Sequence, residues 1–327
     1  MKIKVFFILI LTLSLLFAGC KPEPAAPTVP VQTTVPTEPP TPKAGLALRQ
    51  KADDDADALA LQQTLEEQGY EVLVKDGEND QSKQNEQVKA LLDEGCQMLV
   101  VQPVMTTGLE TLVEQVKPTG VPLIILDHQP EQAVLESYDK LVFLGADHSQ
   151  AGKVQAKLLE QLPMKGDLSF DGITSLVLIL GPEDHLDSAK RSAEFMAAIP
   201  ADTHVILETV SAEWTKDGGR SAAAQLMSKY GPDIELMVTF DEQMALGALE
   251  AIDNGGWEPG RDLYVLTVGN SSEVRTQVEQ GRISGIAWPD KEARLVKLSE
   301  LIAALAAGEQ TEKINYIDYL DQLRVLT

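Results

Sequence analysis

Cysteine is nearly missing from this chain of 327 residues, which has only Cys20 and Cys96. One pair at most cannot build a disulfide scaffold, so the fold must rest on buried apolar surface. Aromatic residues make up only 5% of the chain, too few to carry the core. The four histidines, His128, His148, His185 and His204, are scattered, with no two at the spacing of a metal pair on a helix. Phosphate-cradling glycine loops and nucleophile elbows are missing, and carboxylates are too numerous to single out a glycosidase pair, so an enzyme is not expected. Basic residues are scarce, 27 against 50 acidic ones, for a formal charge of −23. That balance excludes nucleic acid as a partner and an electrostatic hold on anionic lipid. The one long apolar run, Val5 to Phe17, is too short for a comfortable membrane span.

That run is where the positive signals begin. Lys2 and Lys4 precede it, and Ala18, Gly19 and Cys20 follow, the arrangement of a secretory signal over residues 1–20. Small residues before a cysteine resemble the lipobox of bacterial lipoproteins, although Phe17 stands where leucine is usual. The resemblance implies that Cys20 is lipidated and holds an exported protein at the outer face of the cell membrane. An ordinary signal peptide with a chance cysteine is the alternative, and it too places the protein outside the cytoplasm. Residues 21–43 hold eight prolines and five threonines and bury nothing, so they are expected to form a tether. At about 3.1 Å per residue such a segment reaches roughly 70 Å. With Cys20 acylated, Cys96 has no partner and is expected to be a small buried apolar residue.

From Ala44 onward, short β-rich apolar runs alternate with amphipathic stretches, the pattern of an α/β fold. Ten strands are expected, from Gly45–Leu48 to Ser284–Trp288, with helices between them. Val88, Leu91 and Leu92 share one helical face that Gly95 closes. A helix over 290–307 carries Leu295, Leu298, Leu301, Ile302 and Leu305. Ten strands are too many for one small sheet, which predicts two doubly wound parallel-sheet lobes joined by a multi-segment hinge. The aperiodic stretch 127–140 is where the first crossing is placed. The expected lobes are therefore 44–126 with about 290–312, and 127–289 with about 313–327.

Ligands of such sheets bind beyond the carboxyl ends of the strands. After the strand Leu176–Leu180 come His185, Asp187 and, a turn later, Arg191: an imidazole, a carboxylate and a forked donor suited to sugar hydroxyls. The plainer alternative makes Asp187 a helix cap and Arg191 a surface residue. Several further segments stand in one order along the chain: Asn79 to Asn85, Ser137 to Lys140, Gly145 to Asp147, then His185 with Asp187 and Arg191, Trp214, and Met244 to Ala251. Together they resemble the bacterial type I periplasmic binding proteins, nearest the galactose/glucose-binding branch.

The resemblance implies a sugar between two lobes, with Asp54, Gln102, His185, Asp187, Arg191, Trp214 and Asp241 at ligand positions. Asp54 could equally be Asp53 or Asp55, and Trp214 could be plain packing. Other positions depart from the family. A stacking ring is replaced by Ala56 or Asp57, another aromatic by Arg49, a hydroxyl-gripping aspartate by Gly269, and an asparagine by Pro289. Trp288 and Asn270 stand ready as substitutes, so the site reads as retuned, for glucose, galactose or another monosaccharide.

Asp167, Ser169, Asp171 and Ser175, with Gly172 sixth and the Ile173 carbonyl seventh, match the first nine places of an EF-hand loop. The resemblance implies that Glu235 supplies the last ligand of a structural calcium ion. An Asp-Gly turn is the other reading. No organic cofactor is expected, and the protein is expected to be a monomer. Two functions survive: delivery of a sugar to an ABC permease, or presentation of the closed form to a chemoreceptor or histidine kinase. A carbohydrate-binding scaffold that does not close is a third.

Overall fold

The computed structural model describes residues 40–51, 55–105, 108–182 and 185–324. The signal segment, Cys20 and the tether up to Pro39 lie outside them. The first part of the chain runs β1 (Lys43–Leu48), α1 (Ala56–Glu67), β2 (Glu71–Asp76), α2 (Gln81–Asp93), β3 (Cys96–Val101), α3 (Leu109–Val116), β4 (Leu123–Leu126), α4 (Gln132–Ser137) and β5 (Leu141–Ala146). A second series follows: α5 (His148–Gln161), β6 (Thr174–Leu180), α6 (Leu186–Ala198), β7 (His204–Ser211), α7 (Lys216–Tyr230), β8 (Leu236–Thr239), α8 (Glu242–Asn254), β9 (Tyr264–Val268), α9 (Ser272–Glu279) and β10 (Gly285–Pro289). The chain closes with α10 (Lys291–Ala306), β11 (Ile314–Ile317) and β12 (Tyr319–Leu323).

The strands form two sheets of one design, ordered β2-β1-β3-β4-β5-β11 and β7-β6-β8-β9-β10-β12. All neighbours are parallel except β10 and β12. Helices cover both faces, so central strands such as β4, β5 and β9 are buried throughout and read as unbroken apolar runs. In β1 the pleat sends Ala44, Leu46 and Leu48 into one apolar cluster and Ala47 into the other, with Val88 and Leu91 of α2. Cys96 is buried at the start of β3, and burial pushes its thiol up to about 11. It packs as an inert apolar residue.

The lobe limits differ from those expected. β5 pairs with β4, Leu123 opposite Leu141, so residues 127–146 belong to the first lobe and the first crossing falls between Ala146 and Asp147. The aperiodic stretch misled because it holds only the six-residue α4. The second crossing comes after Pro289, since α10 packs on α1 and β5. β11 then pairs with β5, extending the first lobe through Ile317, and Asp318 leads to β12 in the second. The Asp290 amide donates to the Asp318 carbonyl at 2.9 Å, tying two crossings together. β11 and β12 are short, partly exposed edge strands and were not among the ten expected.

Candidate functional site

In sheets of this order the loops part beyond the carboxyl ends of the strands. Both lobes turn those ends toward one chamber of about 380 Å³. The first lobe lines it with Arg49 after β1, Gln102 after β3, and Asp127 and His128 after β4. The second contributes His185, Asp187 and Arg191 at the start of α6, Trp214 after β7, Asp241 before α8, and His148 at the head of α5. Six residues expected at the ligand therefore share one chamber: Gln102, His185, Asp187, Arg191, Trp214 and Asp241. Asp54 lies outside the described residues, as does Asp53. Asp55 caps α1, accepting from the Asp57 and Ala58 amides at 3.1 and 3.0 Å, and Ala56 opens that helix.

The cap of α6 is His185 rather than Asp187: its Nδ1 accepts the Asp187 amide at 3.2 Å. This leaves the Asp187 carboxylate facing the chamber, with Oδ2 3.3 Å from His148 Nε2 and 3.6 Å from His128 Nδ1. Burial alone would raise the Asp187 carboxyl, but the imidazoles of His128 and His148 and the Arg191 guanidinium hold it down at about 2. Arg191 is no surface residue. It donates to the Phe240 carbonyl at 2.8 Å, lies 5.4 Å from the Trp214 ring centre, and contacts His148 Nδ1 at 3.0 Å.

A guanidinium can only donate, so His148 Nδ1 accepts and its proton sits on Nε2, aimed at Asp187. Burial, reinforced by Arg191, lowers His148 to about 4 and keeps it neutral. Two buried polar atoms in this group, His128 Nδ1 and Arg191 Nε, have no protein hydrogen-bond partner.

Trp214 is held at φ 57°, a conformation disfavoured for a bulky side chain. Its ring lies over Gly181, where a Cβ would come within 2.2 Å of the indole, so only glycine admits it. The edge of the ring meets His185, with centroids 5.8 Å apart. Asp241 caps α8 through the Gln243 amide at 2.8 Å, and burial raises its carboxyl.

In the first lobe, buried Gln84 of α2 donates to the Leu48 and Gln102 carbonyls at 3.2 and 2.9 Å, fixing the ends of β1 and β3. Gln102 in turn donates to Asp127 Oδ2 at 2.8 Å. Arg294 of α10 grips both Asp127 oxygens at 2.8 and 3.1 Å and also bonds Asp57. Burial works against charge on Asp127, yet Arg294 and Gln102 still hold its carboxyl below the ordinary range.

His128, His148 and Arg294 were not expected here. His128 carried a readable signal, since it follows the strand end Leu126-Asp127 just as Gln102 follows β3. Arg294 carried none, because it lies on a helix far along the chain.

A second chamber of about 720 Å³ adjoins the first and shares Arg191 and Asp241 with it. Gly269, Pro289, Asn270, Trp288 and Glu242 line it.

The calcium-like loop closes in another way. Both oxygens of buried Glu235 accept backbone amides, Oε1 from Leu168 and Ser169 at 2.8 and 2.7 Å and Oε2 from Ser175 at 2.7 Å. Asp167 accepts from the Phe170 and Gly172 amides and the Ser169 hydroxyl, and Asp171 accepts the Ile173 amide. A calcium shell needs Glu235 to turn both oxygens on the ion. Here they are turned onto three amides, so in this arrangement the residues do not fit calcium.

Residues 54–310 match the periplasmic binding protein domain family, and the chain belongs to it. It is a binding protein and not an enzyme. Among its relatives is the D-galactose/methyl-galactoside binding periplasmic protein of Haemophilus influenzae, 26% identical over 74% of this chain and 73% of that one. Another is the ribose import binding protein of Bacillus subtilis, 25% identical over 75% and 72%. An ABC transporter periplasmic solute binding protein from Actinobacillus succinogenes, solved with bound D-allose, superposes with a TM-score of 0.74 at 15% identity. That match covers 87% of this chain and 98% of the other, and it establishes the shared fold.

Proposed function

We propose that this protein is an exported, Cys20-anchored lipoprotein that captures a monosaccharide between its lobes and delivers it to an ABC permease. The observation that carries this reading is the chamber of about 380 Å³, toward which both lobes turn planar polar groups. His185, Asp187, Arg191 and Gln102 suit hydroxyls, which both donate and accept, and the Trp214 indole suits the C–H face of a pyranose. Arg191 Nε, buried without a protein partner, suits a polar ligand rather than an apolar one. The names of the relatives, which bind galactosides and ribose, support a sugar.

Closure of the lobes on the ligand is part of the same proposal. A ligand touching both lobes favours the population in which they approach. Isothermal calorimetry of the purified protein against pentoses, hexoses, amino sugars and sugar phosphates tests the reading. Arg191→Ala or Trp214→Ala should weaken the ligand found at least tenfold, about 1.4 kcal/mol. Unchanged affinity in both variants would place the ligand elsewhere. Incorporation of labelled lipid that disappears in Cys20→Ala tests the anchor.

A further inference from the structure

The second chamber is walled in part by Gly269 and Pro289, which bring no hydrogen-bonding side chain to it. A carboxylate reaches it instead from Glu242, in the first turn of α8. A Cβ on Gly269 would meet the Glu242 side chain at 2.5 Å, so Glu242 fills the place that an aspartate would occupy. The Ser271 amide donates to Glu242 Oε2 at 2.9 Å and fixes the carboxylate there.

Trp288, half-buried at the carboxyl end of β10, adds an indole to the lining, and Asn270 adds an amide. An aromatic face, a carboxylate and an amide repeat the chemistry of the first chamber, where Trp214, Asp187 and Gln102 stand. Arg191 and Asp241 line both chambers and mark the passage between them. Ligand sites span about 300–1,000 Å³. The first chamber is near the lower end of that range, the size for one small ring, while the second is a ligand-sized volume by itself.

We propose that the second chamber is a subsite for a second sugar ring, so that the preferred ligand is a disaccharide with one ring against Trp214 and the other against Trp288. This rests on the sugar-binding reading above and goes beyond it. Calorimetry of the full-length protein with melibiose, lactose, maltose and cellobiose, set against galactose and glucose, decides it. At least one disaccharide should bind tenfold or more tightly than either constituent. Trp288→Ala and Glu242→Gln should each remove most of that excess and leave monosaccharide affinity within about twofold. Glu242→Gln keeps the shape of the side chain, so it reads the subsite even if Trp288→Ala unfolds.

Disaccharides no tighter than their monosaccharides would overturn the subsite and leave the monosaccharide reading standing, as would variants that weaken both kinds of ligand equally. Binding of no sugar at all would sink both.

Discussion

Two charged clusters face the same chamber and are built to different ends. In the first lobe, Asp57, Arg294 and Asp127 satisfy one another: Arg294 holds both Asp127 oxygens, Gln102 adds a further bond, and the arginine side chain is 2% exposed. In the second, Asp187, His148 and Arg191 are also packed together, but all three line the chamber, whereas Arg294 and Asp57 do not. A closed cluster, whose arginine bonds two carboxylates, holds the scaffold. An open one, which lines the cavity, can hold a ligand. Burial of charge therefore does not by itself mark a binding site; its place at the cavity wall does.

The largest expected effect tests the closed cluster. Arg294→Ala takes a buried guanidinium from the half-buried Asp127 and Asp57 carboxylates and should cost about 3–5 kcal/mol in urea unfolding. The same change at Arg191 should cost far less stability and much more affinity. Comparable stability losses at the two positions would erase the distinction.

Glu235 is a third carboxylate of the closed kind, and Glu235→Ala strands three amides, so a loss of about 3 kcal/mol is expected. Thermal melts of the unaltered protein should coincide with calcium and with chelator. A rise in melting temperature with calcium would show that Glu235 turns from the amides to an ion.

The open cluster should betray itself through pH. His148 has its pKa lowered from 6.5 to about 4, so between those values the unfolded chain binds more protons. Stability is therefore untouched above pH 6.5 and falls as the pH drops toward 4, by on the order of 3 kcal/mol. Asp187, lowered from 3.8 to about 2, holds its contribution above 3.8 and loses it only below, as the pH falls toward 2. In His148→Asn the slope between pH 6.5 and 4 should flatten in denaturation curves; an unchanged slope would assign it to another group.

The smallest effect belongs to Gly181→Ala, which pushes the Trp214 ring aside. Ligand affinity should fall about tenfold, 1.4 kcal/mol, with little change in melting temperature.

The eight inner strands were legible because strands covered on both faces must be apolar throughout, as Leu141–Ala146 and Tyr264–Val268 are, and the edge strands β2 and β7 were legible from their β-branched residues. The edge strands β11 and β12 carry no such mark. Tyr319–Leu323 buries little beyond Tyr319 and reads as loop until its pairing with β10 is seen. The lobe exchange after Ala146 was hidden for a related reason, since sequence shows that a strand exists but not which sheet it joins.

At the site, His185, Asp187, Arg191 and Trp214 were legible as residues following strands. Their partners were not, because His148 and Arg294 come from helices that follow the crossings, the first to line the chamber and the second to hold Asp127. The EF-hand spacing of Asp167 to Ser175 was legible too. That Glu235 would meet amides was not, since spacing says which atoms are near and not which way they turn.

The chain passes between the lobes three times, at Asp147, Asp290 and Asp318. A protease nick in any one passage leaves two covalent paths intact. Cleavage there would appear as fragments on a denaturing gel from a molecule still whole in solution. Three threads side by side also limit the lobes to bending and twisting about the passages, so each half meets the other in the same register every time.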